Sequence, residues 1–141
     1  MTTIDFYFNA TDRLQVACRL AAKAIGDGKR MLVYAPDAEL AARVDKLMWT
    51  WPATGFVPHC PADDAIAADT PVLIGRTDDV PADCTLLLNL GADAPPHFAS
   101  FERLFEIVGS EEAEKESGRA RYKLYRSRGY AIASHDLASH G

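Results

Sequence analysis

The sequence predicts an α/β fold, with a mostly parallel central sheet flanked by helices. Segments typical of strands and of helices alternate through the N-terminal part of the chain, which is the pattern of an α/β protein. One strand segment, MLVYA at residues 31–35, is apolar throughout, as strands covered on both faces are. The length of 141 residues, 48% of them hydrophobic, suits one domain around one core.

The N-terminal third supplies the regular alternation. The polar residues 9–12 (NATD) precede an amphipathic segment, so we expect a helix that is capped there. Gly26 and Gly28 are expected to end that helix, because glycine is common just past a helix C-terminus. In chain order, the predicted elements are strand 4–8, the capped helix, strand 31–35, and a helix from Pro36 to about Trp49.

In the C-terminal half the predicted strands and helices alternate less regularly. Short apolar runs predict strands, spaced aromatic residues predict a short helix, and Gly129 is expected to stop the last helix. The predicted elements are strands 71–75, 85–90, 106–109 and 130–133, a short helix over 98–105, and a basic helix over 115–128. We expect a single domain over residues 1–133 and a flexible C-terminal tail over residues 134–141.

Residues 49–61 are expected to form a loop, because three prolines and a glycine interrupt the segment. The loop nevertheless carries the large apolar side chains Trp49, Trp51 and Phe56. Two interpretations stay open. Either the loop folds over the edge of its own sheet, or it offers a hydrophobic surface to another protein, for which Trp and Phe are typical anchors.

Residues 115–130 (KESGRARYKLYRSRGY) form a basic segment in an acidic chain. The segment has a net charge of +5, whereas the whole chain carries −5 and the remainder therefore −10. On a helix, one stripe within about 40° contains Lys115, Arg119, Tyr122 and Arg126. The residues roughly opposite, which we expect to face the core, are Ser117, Ala120 and Leu124. The stripe predicts a local anion-binding face, and the alternative is an ordinary solvated helix face.

No catalytic, cofactor or metal site is recognisable. The run Gly26–Arg30 (GDGKR) lacks the GxxxxGK[ST] pattern and precedes a strand, whereas a phosphate loop opens a helix. The GxGxxG and GxSxG patterns are absent. His59 and Cys60, with the aspartates that follow, mix soft and hard ligands without paired ligand spacing. We therefore expect no cofactor and no metal.

The cysteines and the N-terminus predict a cytoplasmic protein. Cys18, Cys60 and Cys84 are an odd number at wide spacings, which fits reduced thiols better than a disulfide framework. The N-terminus, MTTIDFYF, has no cationic start, and no apolar run reaches about 18 residues, so neither a secretory signal nor a membrane segment is expected.

Several segments together resemble the chi subunit of the bacterial DNA polymerase III holoenzyme. The resemblance rests on the FYF strand, on GKR followed by MLVYA, on the passage DKLMW…P…FVPH between Asp45 and His59, and most of all on RARYKLYRSRGY at residues 119–130. It covers essentially the whole chain in order and at similar length.

The resemblance implies a non-catalytic domain of Rossmann-like topology without a nucleotide site. Members of this family link the clamp loader, through the small psi subunit, to the acidic C-terminal tail of the single-stranded-DNA-binding protein. The matching positions imply tail contacts at Lys115, Arg119 and Tyr122 with Val108 at a pocket wall, and helical spacing adds Arg126. The implied psi-facing residues are Trp49, Trp51, Phe56, Val57 and Pro58.

Two other functions remain possible from the residues. The first is direct binding of single-stranded nucleic acid by helix 115–128, since arginine and tyrosine serve phosphates and stacked bases. The net charge of −10 elsewhere argues against strong direct DNA binding. The second is an enzyme with an unrecognised site, which an α/β fold never excludes.

Overall fold

The chain folds around one parallel sheet, which confirms the predicted α/β class. The structure is a computed structural model that describes residues 2–50 and 57–140. Within those ranges the sheet has seven strands: β1 Thr3–Ala10, β2 Met31–Tyr34, β3 His59–Pro61, β4 Val72–Gly75, β5 Leu86–Asn89, β6 Arg103–Gly109 and β7 Ile132–Asp136. Their order in the sheet is β3-β4-β2-β5-β6-β1-β7, and every neighbouring pair is parallel.

The described ranges also contain three α-helices and three short 3-10 turns. The helices are α1 Arg13–Gly26, α2 Ala38–Thr50 and α3 Glu112–Ser127. The turns cover Ala67–Asp69, Phe98–Ser100 and Leu137–His140. Among the described helices, none combines the length and the apolar character that a membrane crossing requires.

The two faces of the sheet carry separate cores. Met31, Val33 and Leu88 belong to the cluster on the side of α1 and α2. Leu32 and Leu87, their neighbours in sequence, belong to the cluster that includes Tyr125 of α3. Because successive side chains of a strand point to opposite faces, the apolar runs of β2 and β5 fill both cores.

Helix α1 begins and ends at the predicted places. The Asp12 carboxylate accepts hydrogen bonds from the backbone N–H groups of Leu14 and Gln15, at 3.1 and 3.2 Å. These bonds satisfy donors that have no partner inside the helix. At the other end, Gly28 has a φ of +69°, a left-handed conformation that glycine adopts without cost.

The helix expected over residues 98–105 is wrong. Residues 98–100 form a 3-10 turn, and β6 starts at Arg103 and lies between β5 and β1. A central strand is apolar on both faces, so a run such as LFEIV carries no alternation that would distinguish it from a buried helix.

Both ends of the sheet extend further than expected. His59–Pro61, expected to be loop, pair with β4 as the edge strand β3. The boundary between the domain and a tail at Ser134 is also wrong, because β7 pairs with β1 as far as Asp136 and a 3-10 turn follows. The polar residues of β7 conceal it in the sequence, since an edge strand has little apolar side chain to reveal it.

Candidate functional site

Helix α3 lies close against β6 because it carries a glycine on its buried face. A Cβ placed on Gly118 would lie 2.7 Å from Cγ2 of Val108, a separation that real Cβ atoms do not show. The side chains of this helix that face the core are Arg121 and Tyr125, which are buried beside Gly118. The expected core face is therefore wrong: Ala120 is exposed, and Ser117 and Leu124 are only half-buried.

A buried polar cluster explains this orientation. The Glu106 carboxylate of β6 is 0% exposed. It accepts hydrogen bonds from Arg121 Nε at 3.0 Å, from the Tyr125 hydroxyl at 2.6 Å and from Asn89 Nδ2 at 3.1 Å. Since all three neighbours donate, the arrangement suits an ionised carboxylate.

The pKa values of the cluster follow from burial. Desolvation raises the pKa of Glu106, and the Arg121 guanidinium opposes that shift. Desolvation, together with the neighbouring Glu106 carboxylate, also raises the pKa of Tyr125, so its hydroxyl remains a donor. Arg121 is 5% exposed and belongs to this cluster, so it does not contribute to the surface charge that the sequence suggested.

The other cations of the helix remain at the surface. Lys115 is half-buried, whereas Arg119, Lys123 and Arg126 are exposed, as is Arg128 just past the helix end. Lys115 Nζ lies 3.9 Å from Glu112 Oε1, a loose and exposed contact that leaves the ammonium available.

A concave site of ≈ 330 Å³ lies between α3 and the ends of β1 and β6; we call it the α3 notch. Its lining residues are Phe6, Phe8, Asn9, Val108, Gly109, Lys115, Gly118, Arg119 and Tyr122. The structure thus brings together Lys115, Arg119, Tyr122 and Val108, four of the residues singled out in the sequence. Arg126 is not part of the lining and lies one turn further along the helix.

The notch combines an apolar interior with two cations. The Tyr122 ring packs edge-on against Phe6, with 5.3 Å between the ring centroids. Phe8 and Val108 add further apolar surface, and Lys115 and Arg119 are its charged lining residues. This arrangement suits an apolar side chain whose neighbouring groups are anionic.

Phe6, Phe8 and Asn9 were not identified as site residues from the sequence. They lie on β1, more than a hundred positions before α3, and reach the notch only because β1 pairs with β6 in the sheet. The FYF run was recognised as a strand, and strand alternation predicts that Phe6 and Phe8 share a face. Which face α3 would cover was not predictable from that pattern.

A second surface lies at the C-terminal end of α2. Trp49 is 57% exposed, and with Ile66 it borders a largely apolar groove of ≈ 540 Å³ that we call the α2 groove. Trp49 packs edge-on against His59, whose Nε2 lies 3.1 Å from Asp45 Oδ1. These contacts join the end of α2 to β3.

The residues expected to face psi are distributed unevenly. Val57 is 1% exposed and packs in the core on the α1 and α2 side, so it is not available at the surface. Pro58 is half-buried. Trp51 and Phe56 lie outside the described residues.

No cluster of three or more His, Cys, Asp or Glu side chains that could hold a metal ion occurs in the described ranges. The cysteines Cys18, Cys60 and Cys84 are buried and free. Burial raises the pKa of the Cys18 thiol to about 11 and also raises that of Cys84, which favours the protonated thiol over the reactive thiolate at both positions.

The chain is similar to a known protein family. The family described as "DNA polymerase III chi subunit, HolC" matches residues 1–133. A DNA polymerase III subunit chi from Pseudomonas aeruginosa is 33% identical over 141 residues, which cover 97% of this chain and 98% of the relative. The Escherichia coli K12 subunit of the same name is 31% identical over 119 residues, covering 84% of this chain and 81% of the relative.

The fold also occurs among solved structures. The C-terminal domain of Saccharomyces cerevisiae Dbp5, solved bound to Gle1 and IP6, superposes with a TM-score of 0.56 at 9% identity. The alignment covers 94% of this chain and 90% of that one. At such low identity the likeness concerns the fold alone.

Proposed function

Because the chain belongs to the DNA polymerase III chi subunit family, and so has an accessory role in DNA replication, we propose that it acts as a non-catalytic tether. In this proposal the α3 notch binds the acidic C-terminal tail of the single-stranded-DNA-binding protein. The α2 groove binds the psi subunit of the clamp loader. The chain then connects the two by holding one partner at each surface.

The composition of the α3 notch is the observation that supports tail binding. If the tail ends in an apolar residue such as phenylalanine, that side chain occupies the space between Phe6, Phe8 and Val108. Its terminal carboxylate and preceding aspartates suit Lys115 and Arg119, since an arginine holds a carboxylate with two parallel hydrogen bonds. Arg126, one turn beyond the notch, is in reach of acidic residues further from the peptide end.

The size of the notch favours weak binding that multivalency strengthens. A short peptide buries less surface than a stable protein interface needs, so we expect a dissociation constant of about micromolar order. DNA coated with many copies of the binding protein presents many tails near each other. The resulting effective concentration holds the polymerase assembly near its template without a tight single contact.

We propose to test the tail site by fluorescence anisotropy. A labelled acidic peptide ending in Asp-Ile-Pro-Phe is titrated with the wild type, with Arg119→Ala and with Arg128→Ala at two salt concentrations. Arg119→Ala is expected to weaken binding about ten-fold or more, because charge-assisted hydrogen bonds are lost. Arg128→Ala removes the same charge just past the C-terminal end of α3, away from the notch, and is expected to have little effect.

Two outcomes would contradict the tail site. The first is that the wild type does not bind the peptide at low salt. The second is that both variants lose affinity equally, which would indicate general attraction to a basic helix. Single-stranded DNA serves as the competitor in the same experiment: if it displaces the peptide at equal concentration, direct nucleic-acid binding by α3 is the better explanation.

The α2 groove is the surface that we propose for psi. Trp49 is a large exposed aromatic residue beside an apolar concavity, and such residues commonly anchor protein interfaces. Trp49→Ala is expected to weaken co-purification with psi and to leave tail binding unchanged. Arg119→Ala is expected to do the reverse, so each variant is the control for the other. Loss of both activities in Trp49→Ala would indicate misfolding and not a lost contact.

A further inference from the structure

Asn9 has an unusual backbone conformation at the edge of the α3 notch. Its φ is +62°, and among the described residues only Asn9 and Asp83 combine a side chain with a positive φ. Asparagine tolerates this left-handed region better than most residues, but the conformation still needs support from its surroundings.

The strand pairing around Asn9 is irregular as well. Tyr7 pairs with Ile107 and Ala10 with Gly109, so β1 has one residue more than β6 in this interval. An extra residue of this kind is a β-bulge, and bulges often redirect a side chain next to a functional site.

The irregularity turns Asn9 towards the notch. Phe6 and Phe8 face the α3 side of the sheet, and Tyr7 packs on the α1 side. In a regular strand Asn9 would follow Tyr7 to the α1 side, because side chains alternate. Instead Phe8 and Asn9 are consecutive and both line the notch.

Strand β7 holds the redirected side chain in place. Asn9 Nδ2 donates a hydrogen bond to Asp136 Oδ1 at 2.8 Å, and the same oxygen accepts from the backbone N–H of Ala138 at 3.0 Å. Asp136 also pairs with Phe8 in the sheet. One N–H of the Asn9 amide is thereby used, and the amide retains a second N–H and its carbonyl oxygen for a ligand.

From these contacts we infer that Asn9 is a ligand-contacting residue of the α3 notch that hydrogen-bonds the main chain of the bound acidic peptide, and that Asp136 is the residue that positions it. The inference rests on the proposed tail-binding function. Of the other side chains that line the notch, Lys115 and Arg119 are cations that recognise carboxylates, and Tyr122 carries a single hydroxyl. After its bond to Asp136, the Asn9 amide offers one donor and one acceptor, the complement of a peptide group.

The test uses variants that distinguish the side-chain contact of Asn9 from its backbone conformation. Asn9→Gly keeps the positive φ and removes the amide, and is expected to weaken peptide binding about three- to ten-fold, the loss of one hydrogen bond. Asp136→Asn retains an acceptor oxygen and is expected to bind as the wild type does. Asp136→Ala releases the Asn9 amide and is expected to weaken binding to a similar extent as Asn9→Gly.

A double-mutant cycle distinguishes positioning from general stability. If Asp136 acts through Asn9, Asp136→Ala causes no further loss of affinity in the Asn9→Gly background. Additive losses would overturn the positioning role, and unchanged affinity of Asn9→Gly would overturn the contact. If Asn9→Gly binds normally while Arg119→Ala does not, only this inference fails. If the wild type does not bind the peptide, the proposed function fails and this inference with it.

Discussion

At the scale of single residues, Glu106 has the largest influence on the position of α3. Its carboxylate is fully buried and receives donors from both α3 and β5. Removing one partner of such a group leaves a buried charge that is short of a donor, which is more costly than losing an ordinary surface hydrogen bond.

Tyr125 provides a direct measure of that cost. Tyr125→Phe keeps the ring and removes the hydroxyl that donates to Glu106, so we expect the free energy of unfolding to fall by about 2 kcal/mol. Tyr122→Phe is the matched control on the same helix, since the Tyr122 hydroxyl has no hydrogen-bond partner among the described residues. Its effect is expected to stay within about 0.5 kcal/mol in urea denaturation. Equal effects would contradict the role assigned to the cluster.

His97 introduces a pH dependence. It is buried between Tyr34 and Phe101, its ring nitrogens have no hydrogen-bond partner in the described ranges, and desolvation lowers its pKa against the opposing effect of Asp78 and Asp79. The unfolded chain therefore takes up this proton first as the pH falls below about 6.5, and stability decreases. Well above that pH the group is neutral in both states and contributes no pH dependence.

The His97→Phe variant isolates this contribution. Between pH 7.5 and 5.5, thermal unfolding of the wild type is expected to lose more stability than unfolding of the variant, which keeps an aromatic ring at the site. The two proteins differ only at this side chain, so the difference between the two curves reports the contribution of His97. Parallel curves would show that the buried ring does not oppose protonation.

At the scale of elements, Gly118 determines how closely α3 approaches β6. Alanine at a helix interior position normally stabilises by about 1 kcal/mol relative to glycine. Here the added Cβ meets both methyl groups of Val108, a branched side chain packed on a central strand. We expect this overpacking to cost about 1–3 kcal/mol and to outweigh the gain in helix propensity.

Gly118→Ala is therefore expected to lower stability and to weaken peptide binding, because Gly118 and Val108 both line the notch. Val108→Ala in the Gly118→Ala background removes the collision, so the double variant should recover stability relative to the sum of the two single effects. Chemical denaturation of the four proteins measures this. Additive effects would indicate that the close approach does not limit α3.

Local sequence patterns predict several of these elements but not how their side chains pack against each other. Helix α1, its Asp12 cap and the apolar strands follow from local patterns, and so does the cationic stripe of Lys115 and Arg119. The burial of Arg121 does not, because it depends on Glu106 in a distant strand. The same reason hides Asn9, whose role arises from a bulge and from its bond to β7.

At the scale of the whole molecule, the order of strands separates the two proposed surfaces. The α2 groove lies beside β3 and β4, near one edge of the sheet. The α3 notch lies over β6 and β1, towards the opposite edge. With neighbouring strands about 4.8 Å apart, four strand spacings give a separation of about 20 Å. The two sites share no lining residue.

We therefore expect psi and the acidic peptide to bind independently. The peptide affinity of the protein saturated with psi should equal that of the free protein within about a factor of two, since no shared contact couples the sites. Anisotropy titrations with and without psi measure this. Mutual exclusion would show that the two ligands share a surface.

Whether the α3 notch is a peptide site can be tested by a nuclear magnetic resonance titration of labelled protein with the acidic peptide. We expect saturable shifts of the backbone amides around Val108, Gly118 and Arg119, with little change at the α2 groove around Trp49, and a loss of these shifts in Arg119→Ala. Shifts that centre on another surface, or none at a low salt concentration, would contradict it.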